Sequence, residues 1–462
     1  MKGSKIGKIL RAAIALVFAL LAAFSASAVN GYKITLKTNL NNHKVYLWYL
    51  YGENRYPLDT SMTNEQGLAV LEKPHALTGG VFVLYLTPRK ALEFLLTDEN
   101  VFTINIDTAD VSGKTTFAGS KENTAYYDFL RKINFNSYQL EQLRKKIESN
   151  KYGPDSLALM RNMAQTYLKQ ETLIKKQTIE KNKGSFLADL IASGMKPDVP
   201  HKSLLAWQRQ TKKRFFENVN FADEALAYSP VLFNLYQEYI NDYTYKSGDS
   251  LIAACDTILK KAAAGKENFK WSLYFLSSSF ERSSVPGQDH VFVHLVEEYY
   301  NKGKCWWLTP EQLNAMRRRA EVLKHLFVGT PCPDFVALDS SGHEASLYSK
   351  IKKLTVLYFW SYDCSHCLEE TPKLAAWMKK HPNINLVTAC ATPDEEKWKE
   401  KLKEFKLPGS HFIDPELKAN YTYTYSITAT PQMFVIGPDK KIKAKYINDT
   451  KELDAFLFPK KK

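Results

Sequence analysis

One stretch constrains the fold of this 462-residue chain more than any other. An apolar run, Leu354 to Trp360, passes through Ser361-Tyr362-Asp363 into Cys364-Ser365-His366-Cys367 and then into a helical pattern reaching about Lys380. An apolar run of that length bounded by turn residues reads as a buried strand. Cys364 then stands at the N-terminus of a helix, where unpaired backbone N–H groups and the positive end of the helix dipole favour an anion. That anion would be the Cys364 thiolate, the form that attacks disulfides. Two intervening residues place Cys367 one helical turn away, so the pair can close into a disulfide and resolve a mixed one.

Zinc sites use the same spacing, but a zinc ion needs two more ligands at a comparable interval, and Cys332 and Cys390 stand alone. Six cysteines are too few to staple an exported chain of this size. Redox chemistry at Cys364 and Cys367 is therefore the better account of the pair, with no metal and no cofactor beyond that redox-active disulfide.

The length predicts several domains. Residues 1–28 read as a secretory signal peptide: Lys2, Lys5, Lys8 and Arg11, then the apolar Ala12 to Phe24, then Ala26-Ser27-Ala28 as cleavage site. The apolar stretch is shorter than the roughly 20 residues a membrane span needs, which favours cleavage over an uncleaved anchor. Export then places the mature chain in the periplasm as a soluble protein. Removing the signal's four basic residues from the formal charge of +14 leaves +10, spread along the chain without a basic run interleaved with aromatics. That pattern predicts a solvated surface and no nucleic-acid partner.

Residues 29–118 show short alternating or apolar runs between turn residues: Tyr32 to Leu40, Lys44 to Tyr51, Leu68 to Leu71, Val81 to Thr87, Val101 to Ile106 and Thr115 to Phe117. They predict an N-terminal antiparallel β domain, sandwich-like. From Ser120, a candidate N-cap, helical periodicity takes over and predicts a central all-α domain over 119–328. Within it Leu157, Met160, Met163, Tyr167 and Leu168 form a stripe expected to be core, and Asp289 is placed to cap a helix running through Val291, Leu295 and Tyr299. Gly329-Thr330-Pro331-Cys332-Pro333 cannot continue a helix and opens the last domain, 329–462. There the order is a hairpin around Asp339 to Gly342, the strand and motif helix, a strand Ile384 to Ala391 and a helix Asp394 to Phe405. A short helix near Pro415 to Tyr421, strands Gln432 to Ile436 and Ile442 to Tyr446 and a helix Lys451 to Phe458 complete it. This predicts an α/β domain made of a βαβ unit, a β-hairpin and a closing helix.

The run Phe359 to Cys367, followed by Glu370 and Pro372 and later by Ala429-Thr430-Pro431, resembles the TlpA/ResA-like branch of thioredoxin-fold oxidoreductases of bacterial periplasms. The resemblance implies that Cys364 is the nucleophile and Cys367 the resolving thiol, with Trp360 supporting the motif. It also implies that Thr430-Pro431 is a cis peptide facing the cysteines and that Glu370 tunes them. Partners implied are periplasmic protein thiols or disulfides and an electron donor or acceptor, which can be membrane-bound. Two departures stand out: Tyr358 occupies a strand position where thioredoxin carries an acid, and His366 occupies the third motif position, as in more oxidising members. Reduction is favoured over oxidation by the resemblance, with His366 arguing the other way. The preceding segments resemble β and helical domains of unassigned function, through Phe117 to Asn123 and Gly287-Gln288-Asp289.

Other constellations are weaker. A thiol peroxidase needs Pro-x-x-x-Thr/Ser-x-x-Cys, and Leu357 stands where the proline should be. His290, His294 and Glu298 share a helical face but read as structural. Cys255, Cys305, Cys332 and Cys390 read as buried thiols, Cys332 being the first candidate to accept the disulfide from the motif. Trp306-Trp307 reads as an interface contact. The alternative of another class is a peptide- or glycan-binding module in which the redox domain is secondary.

Overall fold

The computed structural model describes residues 28–149, 151–200, 203–281, 283, 285 and 287–459, so the signal-peptide reading lies almost wholly outside the described residues. The chain divides into two compact units: residues up to Thr244 with Asp256–Ser272, and Tyr245–Cys255 with Leu273 onward.

Eight strands open the first unit: β1 (Ala28–Thr38), β2 (Lys44–Tyr51), β3 (Asn54–Met62), β4 (Leu68–Thr78), β5 (Gly80–Thr87), β6 (Lys90–Leu96), β7 (Val101–Ile106) and β8 (Thr116–Ala118). They form two four-stranded sheets, ordered β4-β1-β7-β8 and β3-β2-β5-β6. Neighbours run antiparallel except β1 and β7, which pair in parallel. Alternating strands such as β7 bury every second side chain, as one face of a sheet against a core requires. Phe94 of one sheet meets Phe102 of the other edge to face, ring centroids 5.9 Å apart.

Ser120 caps the helix Lys121–Glu148, its hydroxyl accepting the Asn123 N–H at 3.1 Å. Asn123 is buried and its side-chain amide exchanges two hydrogen bonds of 2.7 Å with the Leu95 backbone, which ties the helix start to β6. The following helix, Pro154–Lys181, has no buried residue, so the stripe through Met163 and Leu168 is not core as expected. Met163 and Leu168 are 43% and 54% exposed. No described helix is long and apolar enough to cross a membrane.

In the second unit a seven-stranded sheet is built from β9 (Val336–Asp339), β10 (Glu344–Ser346), β11 (Thr355–Trp360), β12 (Asn385–Cys390), β13 (Ser410–Ile413), β14 (Gln432–Ile436) and β15 (Ile442–Ile447). Its order is β10-β9-β13-β12-β11-β14-β15, with β11, β12 and β13 parallel and the others antiparallel to their neighbours. Every residue of β11 is buried, as a central strand covered on both faces demands. Gly409 admits β13 beside β12: its φ is +101° and a Cβ there would lie 2.1 Å from the Leu386 carbonyl oxygen. The Gly329 to Pro333 segment is pinned to the last hairpin, Gly329 and Cys332 N–H donating to the carbonyls of Ile442 and Lys440 at 2.8 Å.

Asp289 does not cap its helix, which begins at Asp289 after Gln288. Its buried carboxylate instead pairs with the ammonium of Lys445 on the edge strand β15, the two side chains 3% and 2% exposed. Next to it Tyr446 takes φ of +57°, beside an irregularity in the β14–β15 register. Short-range preference gave Asp289 a plausible capping role, but a buried cation outcompetes backbone N–H groups for a carboxylate.

Candidate redox site

The strand β11 ends at Trp360, and Ser361 to Asp363 turn the chain so that Cys364 becomes the N-cap of the helix Ser365–Lys380. Its sulfur accepts the Cys367 N–H at 3.3 Å, the place a Ser or Asp oxygen occupies at an ordinary N-cap. The turn is braced from behind: the Ser361 hydroxyl donates to Asp363 and lies 3.1 Å from the Thr392 hydroxyl, which in turn lies 3.4 Å from Cys390 Sγ.

The two motif thiols differ sharply. Cys364 is partly exposed and Cys367 is fully buried. Partial burial works to raise Cys364, but hydrogen bonds from the Cys367 thiol, the Thr430 side chain and the N–H groups of Cys367 and His366 outweigh it, holding this thiol below its ordinary range. Burial, then the bond to Cys364, pushes Cys367 up to about 12. The exposed sulfur is thus the readier nucleophile and the buried one a protonated reserve.

Thr430-Pro431 is a cis peptide, and the Thr430 carbonyl accepts the Cys364 S–H at 3.2 Å. The motif and the distant Ala429-Thr430-Pro431 are therefore in contact. His366 is exposed and borders the same groove, and it helps to lower Cys364 through its backbone N–H. Trp360 lies in the core with Cys367, Cys390 and Trp398 rather than in the groove. Glu370 is buried one turn after Cys367; its Oε1 takes the Thr450 N–H at 2.7 Å and the Thr450 hydroxyl, and its Oε2 lies 3.2 Å from the Lys373 ammonium.

Tyr358, in place of an acid, is fully buried with its hydroxyl 2.9 Å from that of Thr371. Burial first, then Cys367, Glu370 and Cys364, push the phenol far above its usual range despite the bond to Thr371. It stays protonated and serves as a hydrogen-bonding group. Thr371 and Thr450 had no signal in the sequence beyond their hydroxyls, because their partners are set by tertiary contact.

The other constellations resolve as structure. His290 stacks on Phe327 at 3.6 Å, Glu298 pairs with Lys302, and no group of metal-binding side chains occurs among the described residues. Cys255, Cys305, Cys332 and Cys390 are all buried, as read from the sequence. Burial pushes Cys332 up to about 11, and it lies in a different core layer from Cys367, among Phe335, Tyr425 and Phe434. Trp306 stands edge-on to Trp307 and is 57% exposed.

A parallel β-α-β core with CxxC at a helix N-terminus and a cis-proline opposite it is a thioredoxin-like arrangement. Residues 328–445 match the AhpC/TSA family. No match is found among curated proteins. Among solved structures, a thioredoxin-like protein from Bacteroides caccae is 16% identical over 58% of this chain and 98% of its own, with a TM-score of 0.47. The thioredoxin domain of a thiol-disulfide oxidoreductase from Bacteroides vulgatus is 24% identical over 28% of this chain and 94% of its own, TM-score 0.26. A domain of a possible thiol-disulfide isomerase from Cytophaga hutchinsonii is 32% identical over 28% and 90%, TM-score 0.27. The chain is a multidomain protein with an N-terminal sheet domain, a central helical region and a C-terminal α/β thioredoxin-like domain.

Proposed function

We propose that the protein is an exported thiol-disulfide oxidoreductase of the TlpA/ResA-like kind, working on protein disulfides in the periplasm, with reduction the favoured direction. The observation that carries the reading is the unequal thiol pair, Cys364 lowered and accessible, Cys367 raised and buried, facing cis Thr430-Pro431. In the reductive direction Cys364 thiolate attacks one sulfur of the substrate disulfide, forming a mixed disulfide as the other sulfur leaves and takes up a proton. Cys367, deprotonated, then attacks Cys364 Sγ. The Cys364–Cys367 disulfide forms, the second substrate thiol is released, and two electrons have passed to the substrate. A dithiol electron donor must return the pair to its reduced state. No metal or further cofactor enters these steps.

The reading is tested by dithiol-dependent precipitation of insulin. Cys364→Ser should abolish it, and Cys367→Ser should accumulate mixed disulfides that Cys364→Ser does not. Equal trapping by both variants rejects the roles. A reduction potential near roughly −120 mV, as in strong oxidants of this fold, instead of about −270 mV as in thioredoxin, would reverse the direction.

A further inference from the structure

We infer that the groove beside Cys364 selects disulfides flanked by positively charged residues, with Glu369 as the selecting side chain. This rests on the exchange reaction proposed above and adds to it the class of substrate.

The groove encloses 360 Å³ next to the nucleophile. It is lined by His366 and Glu369 of the motif helix, by Thr430 and Pro431, and by Asn448 and Asp449. Ala429 and Pro431 are its two apolar residues, and the other lining residues carry polar or charged groups that can select by charge. Three carboxylates, Glu369, Glu370 and Asp449, face one ammonium, Lys373, and the His366 imidazole.

The pairing within the groove decides which charge is left for a ligand. Lys373 is engaged by Glu370, whose other oxygen is occupied by Thr450. Asp449 accepts the Glu452 N–H at 2.7 Å as cap of the last helix. Glu369 is exposed and makes no ion pair among the described residues, although it stands only two positions after Cys367. On the other flank of Cys364, Asp363 is also exposed and accepts the Ser361 hydroxyl, while Lys397 is paired with Asp394. A substrate chain laid along Thr430 toward Cys364 would bring the residue beside its cysteine to Glu369. A Lys or Arg there gains an exposed ion pair and a Glu meets repulsion, each a modest effect of about two- to five-fold in rate, screened by salt.

The test uses the reduced full-length protein and three otherwise identical neutral peptides, each closed by one disulfide, with Lys, Gln or Glu beside the attacked cysteine. Second-order rates of peptide reduction are measured at about 10 mM and about 1 M salt, where the screening length differs about tenfold. The order Lys, Gln, Glu is expected, with the Lys-to-Glu ratio collapsing at high salt, shrinking in Glu369→Gln and inverting in Glu369→Lys. Equal rates for the three peptides at low salt, or a ratio unmoved by both substitutions, overturn the inference. If none of the peptides is reduced, the exchange reading itself fails, a different outcome from equal reduction of all three.

Discussion

Asp289→Ala should destabilise the second unit by about 3–5 kcal/mol, because it leaves the Lys445 ammonium buried without a counter-charge. Both side chains are at most 3% exposed, so solvent cannot take over the role of the lost partner. Lys445→Met should cost a similar amount, since among the described residues the remaining hydrogen-bond donor to the Asp289 carboxylate is the His290 N–H at 3.2 Å. The double change Asp289→Leu with Lys445→Met removes both charges and should recover most of the loss, giving a coupling of about 3 kcal/mol or more in the double-mutant cycle. Hydrogen exchange of the amides in β14 and β15 reads the effect where the pair acts. The pH dependence has a definite sign. Burial first lowers Lys445, with Asp289 pulling it back up. A base whose folded pKa is lowered releases its proton in the folded state sooner than in the unfolded one, so stability rises with pH up to the ordinary lysine value. Without Asp289 the folded value falls further, and the deficit of Asp289→Ala should therefore be largest near neutral pH and shrink toward pH about 10. Single variants that each cost under about 0.5 kcal/mol, or costs that simply add in the double variant, would refute the view that this pair anchors the helix to the sheet edge.

Two further outcomes follow from the titrating groups. Alkylation of the reduced protein should proceed first at Cys364, with a midpoint below that of an ordinary thiol, while Cys367 should resist until pH approaches about 12; mass spectrometry of quenched samples distinguishes them. In the first unit burial pushes the Asp223 carboxyl up to about 7, with Asp189 adding to it. An acid with a raised folded pKa stabilises the fold at low pH and loses that contribution as pH rises through the folded value, here between about 4 and 7. Asp223→Asn should flatten this part of the stability profile, as followed by urea unfolding at pH 5 and 8.

The parts of the structure legible in the sequence are those whose cause is local. Cys364 at a helix start, Ser120 as a cap and the strands Lys44–Tyr51, Val101–Ile106 and Gln432–Ile436 all follow from short-range pattern, and the structure has them at those places. Strands at the margins were hidden. β3 carries Pro57 and Asp59 and lies at a sheet edge, where a missing N–H is tolerated, so no run of its residues marks it as a strand. β6 is the opposite edge, and β13 has only four residues. The parallel β1–β7 pair joins segments more than 60 positions apart, and no periodicity announces such a pairing. The stripe on Pro154–Lys181 shows the converse: helical spacing of apolar residues predicts a face, but not that anything covers it. Around the site, Glu370 and Cys364 were visible as residue types, whereas the Tyr358–Thr371 and Glu370–Thr450 bonds depend on how β11 and the last helix meet the motif helix.

The unequal thiols also bear on the order of events in the proposed exchange. The hydrogen bond from the Cys367 thiol lowers Cys364, and the same contact raises Cys367, so part of the difference belongs to the pair rather than to either sulfur. Once Cys364 is bound in a mixed disulfide its negative charge is gone. Cys367 then no longer faces an anion, and the portion of its upward shift that came from Cys364 disappears, while the portion due to burial remains. The resolving thiol thus becomes more acidic only after the first step has occurred, which suppresses premature ionisation of Cys367 and favours release of substrate once it is bound. Tyr358 fits this sequence. An ionisable acid at its place would add a second charge beside Cys367, whereas a protonated phenol held by Thr371 adds no competing anion. The proton leaving Cys367 must then pass to water or to another base, since both oxygens of Glu370, one turn along the same helix, are engaged by Thr450 and Lys373.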